Sequence, residues 1–296
     1  MTEIKKAIIP VAGLGTRFLP LTKVLAKELL PLADSCMVNY VVSEVKSSDV
    51  NEIIFVLSEK KSIILDYFKK SSKIENILKS QEKQELLKEL QEFEKEFEEI
   101  SFSFVYQEKP KGDGDAILKC KNLIGKEPAG VLFGDDIFVS KIPVLAQLNQ
   151  IFKTSEKLVI GLKKIAREKL SSYGVVEVEK IANRLYKIKE IVEKPKEISK
   201  APSDLAICGR YIITPDVFSY LEKTPANEKG EIILAEALRA MLKDGKIIYG
   251  YEVDGEWLEC GNKIEWLKSN LYLSLNHPKY GPILREAFKR YYDKSR

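Results

Sequence analysis

Short apolar runs alternate with amphipathic stretches along the first quarter of the chain. Runs at 6–11 and 52–57 are typical of buried strands, whereas apolar positions spaced by three and four predict helices at 37–47 and 60–69. This βαβα order predicts a mainly parallel sheet with helices on both faces. Ligands of such sheets bind at the carboxyl ends of the strands. We therefore expect the functional site where these runs end.

Residues 74–100 are rich in charge, and their apolar residues recur at steps of three and four. The pattern predicts an amphipathic helical insertion that covers the sheet and keeps a charged face in solvent. Contact with a partner, or oligomerisation, is the alternative use of the same apolar stripe.

Strand-like runs follow one another more closely in the rest of the chain. They lie at 101–106, 130–133, 158–162, 173–179, 185–193 and 207–213. Strands in short succession predict antiparallel pairs attached to the parallel core, and so an α/β fold with a mixed, mainly parallel central sheet. Residues 262–275 and 282–293 are predicted to be helices that pack across the end of the domain.

Composition excludes several classes of protein. The 48 Lys and Arg residues nearly balance the 44 Asp and Glu residues and are scattered, which does not favour nucleic-acid binding. No apolar stretch is long enough for a transmembrane helix, and no signal peptide precedes the first strand, so we expect a cytoplasmic protein that does not bind membranes. Four distant cysteines, without a C-x-x-C pair, predict reduced thiols rather than disulfides or a zinc site.

A single histidine limits the possible chemistry. His277 lies in an N-H-P-K-Y-G-P segment that is typical of a surface loop. A mechanism with a histidine base is therefore disfavoured, and carboxylates, cations and metal must carry the reaction.

The most informative segment follows the first strand. Gly13 and Gly15 allow a tight turn whose N–H groups can approach a phosphate chain, and Arg17 and Lys27 supply positive charge to a leaving group. Position 18 is Phe, so the G-x-G-x-x-G fingerprint of dinucleotide-binding oxidoreductases is absent, and no Walker GK[ST] occurs. The alternative is an ordinary strand-to-helix turn that contains two glycines.

A second candidate site follows the apolar run at 131–133. Asp135 follows this run after Gly134, and a carboxylate at the end of a buried strand is costly unless a cation or metal compensates it. Asp135 is therefore a candidate Mg²⁺ ligand. The alternative is that it caps the following segment.

The loop G-x-G-T-R, followed by K-E-x-L-P at 27–31, resembles the signature of the sugar-1-phosphate nucleotidylyltransferases, especially the bacterial UTP glucose-1-phosphate uridylyltransferases. Ordered matches run from residue 7 to about residue 275. The resemblance implies a Rossmann-like three-layer fold and a single domain over 1–296. Within it we expect a nucleotide-binding half at 1–145, a sugar-phosphate-binding half at 146–261 and C-terminal helices at 262–296.

The resemblance also implies an activity and its residues. It implies Mg²⁺-dependent transfer of a uridylyl group from UTP to glucose 1-phosphate, which gives UDP-glucose and pyrophosphate, by an enzyme that forms a homodimer or homotetramer. A Gln amide suits uracil, and a glycine in a strand lets a sugar approach the backbone. The implied residues are Arg17, Lys27 and Lys194 for catalysis; Ala12, Gly13, Leu14, Gly15, Thr16, Gln107 and Gly112 for the nucleotide; Gly174, Glu193 and Lys194 for the sugar phosphate; and Asp135 and Glu259 for the metal.

Three departures from the family pattern leave alternatives open. The loop that usually reads K-G-L-G-H-A is K-G-D-G-D-A at 111–116, Glu259 stands where the family has Asp, and Ala26 replaces a proline before Lys27. Two added carboxylates beside a polyanion raise the cost of binding unless they point away or hold metal. Another nucleotide and sugar pair, such as dTTP with glucose 1-phosphate, and a catalytically weak nucleotide-sugar binding protein are therefore the rival interpretations.

Overall fold

The computed structural model describes residues 3–294, which form a three-layer α/β structure. The strands are β1 Lys6–Pro10, β2 Pro31–Leu32, β3 Ser35–Cys36, β4 Glu52–Leu57, β5 Ser101–Tyr106, β6 Ala129–Leu132, β7 Asp136–Val139, β8 Leu158–Lys164, β9 Gly174–Ala182, β10 Leu185–Glu193, β11 Leu205–Ile213, β12 Ile248–Glu252 and β13 Glu256–Glu259. The helices are α1 Met37–Lys46, α2 Ile63–Phe68, α3 Ser72–Ser80, α4 Gln84–Glu96, α5 Asp113–Lys119, α6 Lys121–Ile124, α7 Val144–Ser155, α8 Val217–Lys223, α9 Leu234–Lys243, α10 Lys263–Asn276 and α11 Gly281–Lys294.

Nine strands form the central sheet in the order β5-β4-β1-β6-β11-β8-β12-β10-β9. The first four are parallel to one another, and β11 is antiparallel to both β6 and β8. The pair β9–β10 is antiparallel, and β7 and β13 form a separate two-stranded sheet. The mixed sheet predicted from the sequence is confirmed: its first four strands are parallel, and β8 and β12 form a further parallel pair.

Helices cover both faces of the sheet because successive strand residues point to opposite sides. Ile9 belongs to the core cluster that contains α1 and α7, whereas its neighbour Ile8 belongs to the cluster that contains α5, α8 and α9. Both side chains are fully buried. The two cores account for the continuous apolar runs in the sequence, since strands covered on both faces do not alternate.

The predicted insertion at 74–100 is helical but is not one helix. Helices α3 and α4 are separated by Gln81–Lys83, where Glu82 adopts a left-handed conformation with φ of 57°. Phe93 and Phe97 pack edge-on against Tyr67 and Phe68 respectively, so α4 is attached to α2 beside the edge strand β5. The periodicity predicted the buried stripe, and the break falls in the run 79–85, which contains no apolar residue.

The structure also differs from the sequence prediction at the start of α5 and in elements that the prediction lacked. The segment 108–116, interpreted as a loop, becomes helical at Asp113, where α5 begins. Helices α6, α7, α8 and α9 and strands β2, β3, β7, β12 and β13 had no counterpart in the prediction. The C-terminal helices α10 and α11 are confirmed within one residue of the predicted starts and within one residue at their ends. Across residues 3–294, no helix has the length and apolarity that crossing a membrane requires.

The single histidine and the four cysteines lie where the sequence predicted. His277 follows α10, far along the chain from the strand ends, and its Nε2 lies 3.1 Å from the Asp34 carboxylate. All four cysteines, Cys36, Cys120, Cys208 and Cys260, are buried and free.

Candidate active site

The loop after β1 lies at the carboxyl end of that strand, which pairs with β4 on one side and β6 on the other. Thr22 donates a hydrogen bond from Oγ1 to the Gly15 carbonyl at 2.8 Å, which folds the loop back on the segment that follows it. Gly15 has φ of 64°, and a Cβ there would lie 2.9 Å from the Thr22 methyl group. Gly13 differs, because a Cβ at that position would meet no atom within 4 Å. The loop therefore has a fixed turn at Gly15 and open space beside Gly13.

The structure brings Lys27 and Asp135 together across 108 residues of sequence. Lys27 Nζ donates to Asp135 Oδ2 at 2.6 Å. Burial alone would raise the pKa of Asp135, but the charge and hydrogen bond of Lys27 lower it below the ordinary value. Burial would likewise lower the pKa of Lys27, and Asp135 and Glu28 raise it instead. Both groups are therefore charged at neutral pH.

Arg17 reaches the same point from the first loop. Its guanidinium NH1 donates to the Gly261 carbonyl at 3.3 Å. A Cβ at position 261 would lie 3.4 Å from that nitrogen, 3.5 Å from Asp135 Oδ2 and 3.5 Å from Glu259 Oε1. The missing side chain of Gly261 thus leaves a small space that one cation and two carboxylates face.

The second carboxylate of this space is tied to a tyrosine. The Tyr173 hydroxyl donates a short hydrogen bond to Glu259 Oε2, while Glu259 Oε1 is the oxygen that faces the space at Gly261. Glu259 also lies opposite Asp136 in the β7–β13 pair. The Asp136 side chain accepts a hydrogen bond from Trp257 Nε1 at 2.8 Å. Burial, with the negative charge of Asp135, raises the pKa of Asp136 to about 7.

The carboxylate oxygens beside Gly261 are possible ligands for a divalent cation. Within residues 3–294, no group of three or more His, Cys, Asp or Glu side chains is arranged to hold a metal by itself. Asp135 and Glu259 nevertheless offer two oxygen ligands beside the space at Gly261, and Lys27 already places positive charge on one of them. Magnesium commonly binds through one or two carboxylates and completes its shell with water and substrate phosphates. The residues therefore fit a hard cation that arrives with a polyphosphate.

Arg210 holds the backbone of the loop that carries Asp135, a role that our sequence reasoning missed. This fully buried side chain donates from NH1 to the Phe133 carbonyl at 3.2 Å and from NH2 to the Asp136 carbonyl, and its charge is paired with Glu44 at 2.9 Å. The residue before it, Gly209, has φ of 69°, and a Cβ there would lie 2.1 Å from Asp136 Oδ2. One arginine inside the apolar run at 205–213 is the signal that could have revealed it.

One cavity, of about 220 Å³, contains the predicted sugar-phosphate residues. Gly174 lies opposite Glu193 in the β9–β10 pair, and a Cβ at Gly174 would lie 3.1 Å from Glu193 Oε2. Lys194 is mostly exposed at the rim, and its Nζ lies 3.2 Å from Glu193 Oε1. The further lining residues include Arg17, Asp135, Asp136, Tyr173, Glu259 and Gly261.

A second cavity, of about 450 Å³, contains the predicted nucleotide residues. It runs from the first loop past Lys27 to Gln107 and Gly112, and it is lined by Ala12, Gly13, Leu14, Thr16, Lys27, Gln107, Gly112 and Asp135 among others. Asp113, Phe133 and Asp135 line both cavities, so the two meet at the end of β6. Gly15 alone of the predicted nucleotide residues lines neither cavity, because it forms the turn beneath the loop.

The added carboxylates of the G-D-G-D-A segment are both used inside the protein. Asp113 Oδ1 accepts hydrogen bonds from the backbone N–H groups of Gly114 and Leu234, at 2.8 and 3.0 Å, and burial raises the pKa of Asp113. Asp115 accepts a hydrogen bond from Gln107 Nε2 at 2.8 Å. Both added carboxylates therefore have hydrogen-bond donors inside the protein, which offset part of the cost of burying them.

Comparison with known proteins places this chain among nucleotide-using enzymes. The sequence profile of the nucleotidyl transferase family matches residues 6–274. A UTP--glucose-1-phosphate uridylyltransferase of Staphylococcus haemolyticus is 38% identical over 94% of this chain and 95% of its own length. A UTP-bound UGPase from Acinetobacter baumannii is 32% identical, with a TM-score of 0.88 over 96% of this chain and 98% of that one. A UDP-glucose pyrophosphorylase in complex with UDP-glucose is 36% identical, with a TM-score of 0.81 over 91% of this chain and 98% of that one.

Proposed function

The chain belongs to the nucleotidyl transferase family, and from this premise we propose that it is a UTP–glucose-1-phosphate uridylyltransferase, which forms UDP-glucose and pyrophosphate. The observation that carries the proposal is the meeting of two cavities at Asp135. One extends to the Gly13 loop and Gln107, and the other to Glu193. Two anionic substrates bound in them would present their phosphates to each other beside the partly buried cation Lys27.

The domain organisation follows from the same division. We propose one domain over 1–296, in which 1–145 bind the nucleotide, 146–261 bind the sugar phosphate and 262–296 form the C-terminal helices. The nine-stranded sheet runs through both halves without interruption, which supports a single domain.

In this proposal the nucleotide lies along the larger cavity. The N–H groups of the loop Ala12–Thr16 bind the triphosphate, and the absence of a side chain at Gly13 lets the phosphates approach the backbone. Gln107 and Gly112 contact the uracil at the far end. Arg17 and Lys27 stabilise the charge that develops on pyrophosphate as it leaves.

The sugar phosphate lies in the smaller cavity. Glu193 accepts hydrogen bonds from sugar hydroxyls, which approach closely because Gly174 has no side chain. Lys194, at the rim, binds the phosphate as a point charge. These contacts fix the angle at which the sugar phosphate meets the nucleotide.

The reaction requires no covalent intermediate. A phosphate oxygen of glucose 1-phosphate attacks the α-phosphorus of UTP in line, the bond from that phosphorus to the bridging oxygen breaks, and pyrophosphate leaves. The attacking phosphate is already an anion, so charge and positioning matter more than a base. Two unit charges 4 Å apart repel by about 4 kcal/mol at an effective dielectric constant of about 20, and the cations at this site offset that repulsion.

We propose Mg²⁺ as the divalent cation, held by Asp135 and Glu259. When bound, it would neutralise phosphate charge between the two substrates. The all-oxygen donor set supports a hard cation over zinc or copper.

An assay of pyrophosphate release tests the function. Purified protein would be mixed with Mg²⁺, each of UTP, dTTP, CTP and ATP, and each of several sugar 1-phosphates, and products would be identified by mass. We expect the highest kcat/KM for UTP with glucose 1-phosphate. Preference for dTTP would replace this proposal with thymidylyl transfer, and binding of UDP-glucose without any pyrophosphate release would refute enzymatic activity.

Substitution of Arg17 tests whether this site is responsible. Arg17→Ala is expected to lower kcat/KM at least tenfold, about 1.4 kcal/mol of transition-state stabilisation. Arg239→Ala is the matched control, because Arg239 is a surface arginine on α9 that pairs with Glu236. Equal activity of the two variants would remove Arg17 from the mechanism.

We further propose a cytoplasmic homo-oligomer. The four free, buried thiols support a reducing compartment. On α10 and α11, Ile264, Leu267 and Ile283 are each more than half exposed, which supports coverage by a second copy of the chain. Sedimentation would give a dimer or tetramer for the native protein and a smaller species for Ile283→Glu; a native monomer would refute this part.

A further inference from the structure

A buried contact between Gln107 and Asp115 lies at the end of the nucleotide cavity. The Gln107 amide nitrogen donates to Asp115 Oδ2 at 2.8 Å and to the Gly112 carbonyl at 2.9 Å. Gln107 is 5% exposed and Asp115 is 7% exposed. Nothing in the proposed function uses Asp115, which stands in the segment where this chain departs from the family pattern.

Both partners of the amide nitrogen are acceptors. A carboxylate accepts hydrogen bonds but donates none, and a backbone carbonyl does the same. Rotation of the amide by half a turn would therefore place Oε1 against two other oxygens. The Asp115 carboxylate also makes the stronger contact, since hydrogen bonds to ionised groups are stronger than those between neutral groups. The nitrogen of Gln107 must face inward, and Oε1 is the atom left for a ligand.

The two residues are held on separate, rigid elements. The Gln107 backbone N–H donates to the Leu57 carbonyl at 2.8 Å, which fixes the residue at the end of β5. Asp115 lies in the first turn of α5, which is anchored where the Gly114 N–H donates to the Ile232 carbonyl at 2.9 Å. These backbone contacts fix the positions of the two residues, and the hydrogen bonds from the Gln107 amide nitrogen to Asp115 and Gly112 then determine the orientation of the amide.

We propose that Asp115 is a positioning residue that orients Gln107 so that the base cavity presents a hydrogen-bond acceptor. This inference rests on the proposed function and explains its choice of pyrimidine. The N3 atom of uracil carries a hydrogen and donates to Oε1, whereas the N3 atom of cytosine is an acceptor that Oε1 repels. Thymine also carries the N3 hydrogen, so Asp115 selects uracil and thymine over cytosine but does not separate them.

The test is the ratio of kcat/KM for UTP to that for CTP, with glucose 1-phosphate as acceptor. Asp115→Ala removes the charged partner and leaves only the neutral Gly112 carbonyl, so the amide can turn and donate to cytosine N3. We therefore expect the ratio to fall at least tenfold while the ratio for UTP to dTTP stays the same. A purely structural role would lower all three rates together. If Asp115→Ala does not fold, Asp115→Asn replaces it, because a neutral amide no longer dictates which atom faces it, and the ratio should fall by a smaller factor.

Two further variants complete the test. In a Gln107→Ala background, Asp115→Ala should change the ratio no further, because the residue acts through Gln107. Glu236→Gln is the control, since Glu236 also lies in the first turn of a helix, α9, but pairs with Arg239 and lines neither cavity; its ratio should match that of the native protein. An active enzyme whose ratio is unchanged by Asp115→Ala refutes the orienting role. A native protein without UTP activity refutes the proposed function instead.

Discussion

At the level of single residues, Gly13 and Gly15 of the first loop differ in how much space a side chain would have. A side chain at Gly13 would extend into empty space, whereas a side chain at Gly15 would require a left-handed backbone and would press on Thr22. We predict that Gly13→Ala unfolds at the same temperature as the native protein but binds UTP at least tenfold more weakly, because the methyl group occupies the path of the phosphates. Gly15→Ala should lose about 1 kcal/mol or more of stability. Thermal unfolding and calorimetric titration measure the two effects; native UTP affinity in Gly13→Ala would contradict the phosphate role of the loop.

Tyr173 and Glu259 allow a test of the metal site. Glu259 is longer than the Asp that the family has here, and the Tyr173 hydroxyl fixes one of its oxygens so that the other faces Asp135. We predict that Tyr173→Phe weakens Mn²⁺ binding, measured by electron paramagnetic resonance in the presence of UTP, about tenfold, as the loss of an outer hydrogen bond often does. Tyr186→Phe is the control, because the Tyr186 hydroxyl donates to Glu252 elsewhere in the sheet. Equal affinities would mean that Glu259 needs no such support.

Asp136 gives a prediction of pH dependence. Its pKa is about 7 in the folded protein against an ordinary value near 4, so between these two values the folded chain holds a proton that the unfolded chain releases. Stability from this group is therefore present at low pH and falls as pH rises through 7. Without divalent metal, we predict that the free energy of unfolding of Asp136→Asn, relative to that of the native protein, is higher at pH 8 than at pH 5 by about 1 kcal/mol or more. Urea unfolding at both values measures it, and an equal difference at the two pH values would contradict the shift.

Sequence reasoning identified most of these residues but not their partners. Gly13, Glu193 and Lys194 each border one of the two cavities, and Asp135 borders both; their roles in binding stay predictions. The contact between Lys27 and Asp135 joins residues that are distant in sequence, and no local pattern encodes it. The Gln107 amide was expected to bind uracil, and the structure adds that its nitrogen already donates to Asp115 and Gly112.

At the level of elements, a buried ion pair joins the K-E-x-L-P segment to the first loop. Lys61, in a turn before α2, donates to both Glu28 carboxylate oxygens, at 2.7 and 2.9 Å, and to the Val11 carbonyl at 2.7 Å. Burial lowers the pKa of Lys61, and Glu28 opposes that shift. The pair therefore fixes the start of the loop relative to the segment that carries Lys27.

Removal of Lys61 alone should lower the free energy of unfolding more than removal of both Lys61 and Glu28. Lys61→Met leaves the Glu28 carboxylate buried and unpaired, which we predict costs about 3–5 kcal/mol of unfolding free energy. The double variant Lys61→Met with Glu28→Leu should recover about 2 kcal/mol of that loss, because no charge is left in the core. Urea unfolding of the single and double variants measures the coupling. A double variant that is less stable than Lys61→Met would contradict this description.

Element prediction succeeded where the apolar period was long and failed where polar contacts decided the ends. The strands that were predicted and the C-terminal helices follow their apolar patterns closely, whereas β2, β3, β7, β12 and β13 were not predicted. The break between α3 and α4 depends on the left-handed conformation of Glu82, a residue type that seldom adopts it. The early start of α5 depends on Asp113, whose carboxylate binds the Gly114 and Leu234 N–H groups. A distant backbone donor of this kind cannot be read from local sequence.

At the level of the whole molecule, the order of the strands determines where the chemistry can occur. Strand β11, from the second half of the chain, pairs with β6 beside β1. This pairing brings Arg210 against the loop that carries Asp135 and joins the two cavities. The mixed sheet was predicted, but the position of β11 was not, because strand order depends on contacts between distant segments.

The most direct test of the account is a crystal structure of the protein with UTP and Mg²⁺. We predict that the triphosphate lies against the backbone of 12–17, that the cation contacts Asp135, and that the uracil N3 atom lies within hydrogen-bond distance of Gln107 Oε1. A structure in which the 12–17 loop is empty and UTP occupies another part of the molecule would contradict the account.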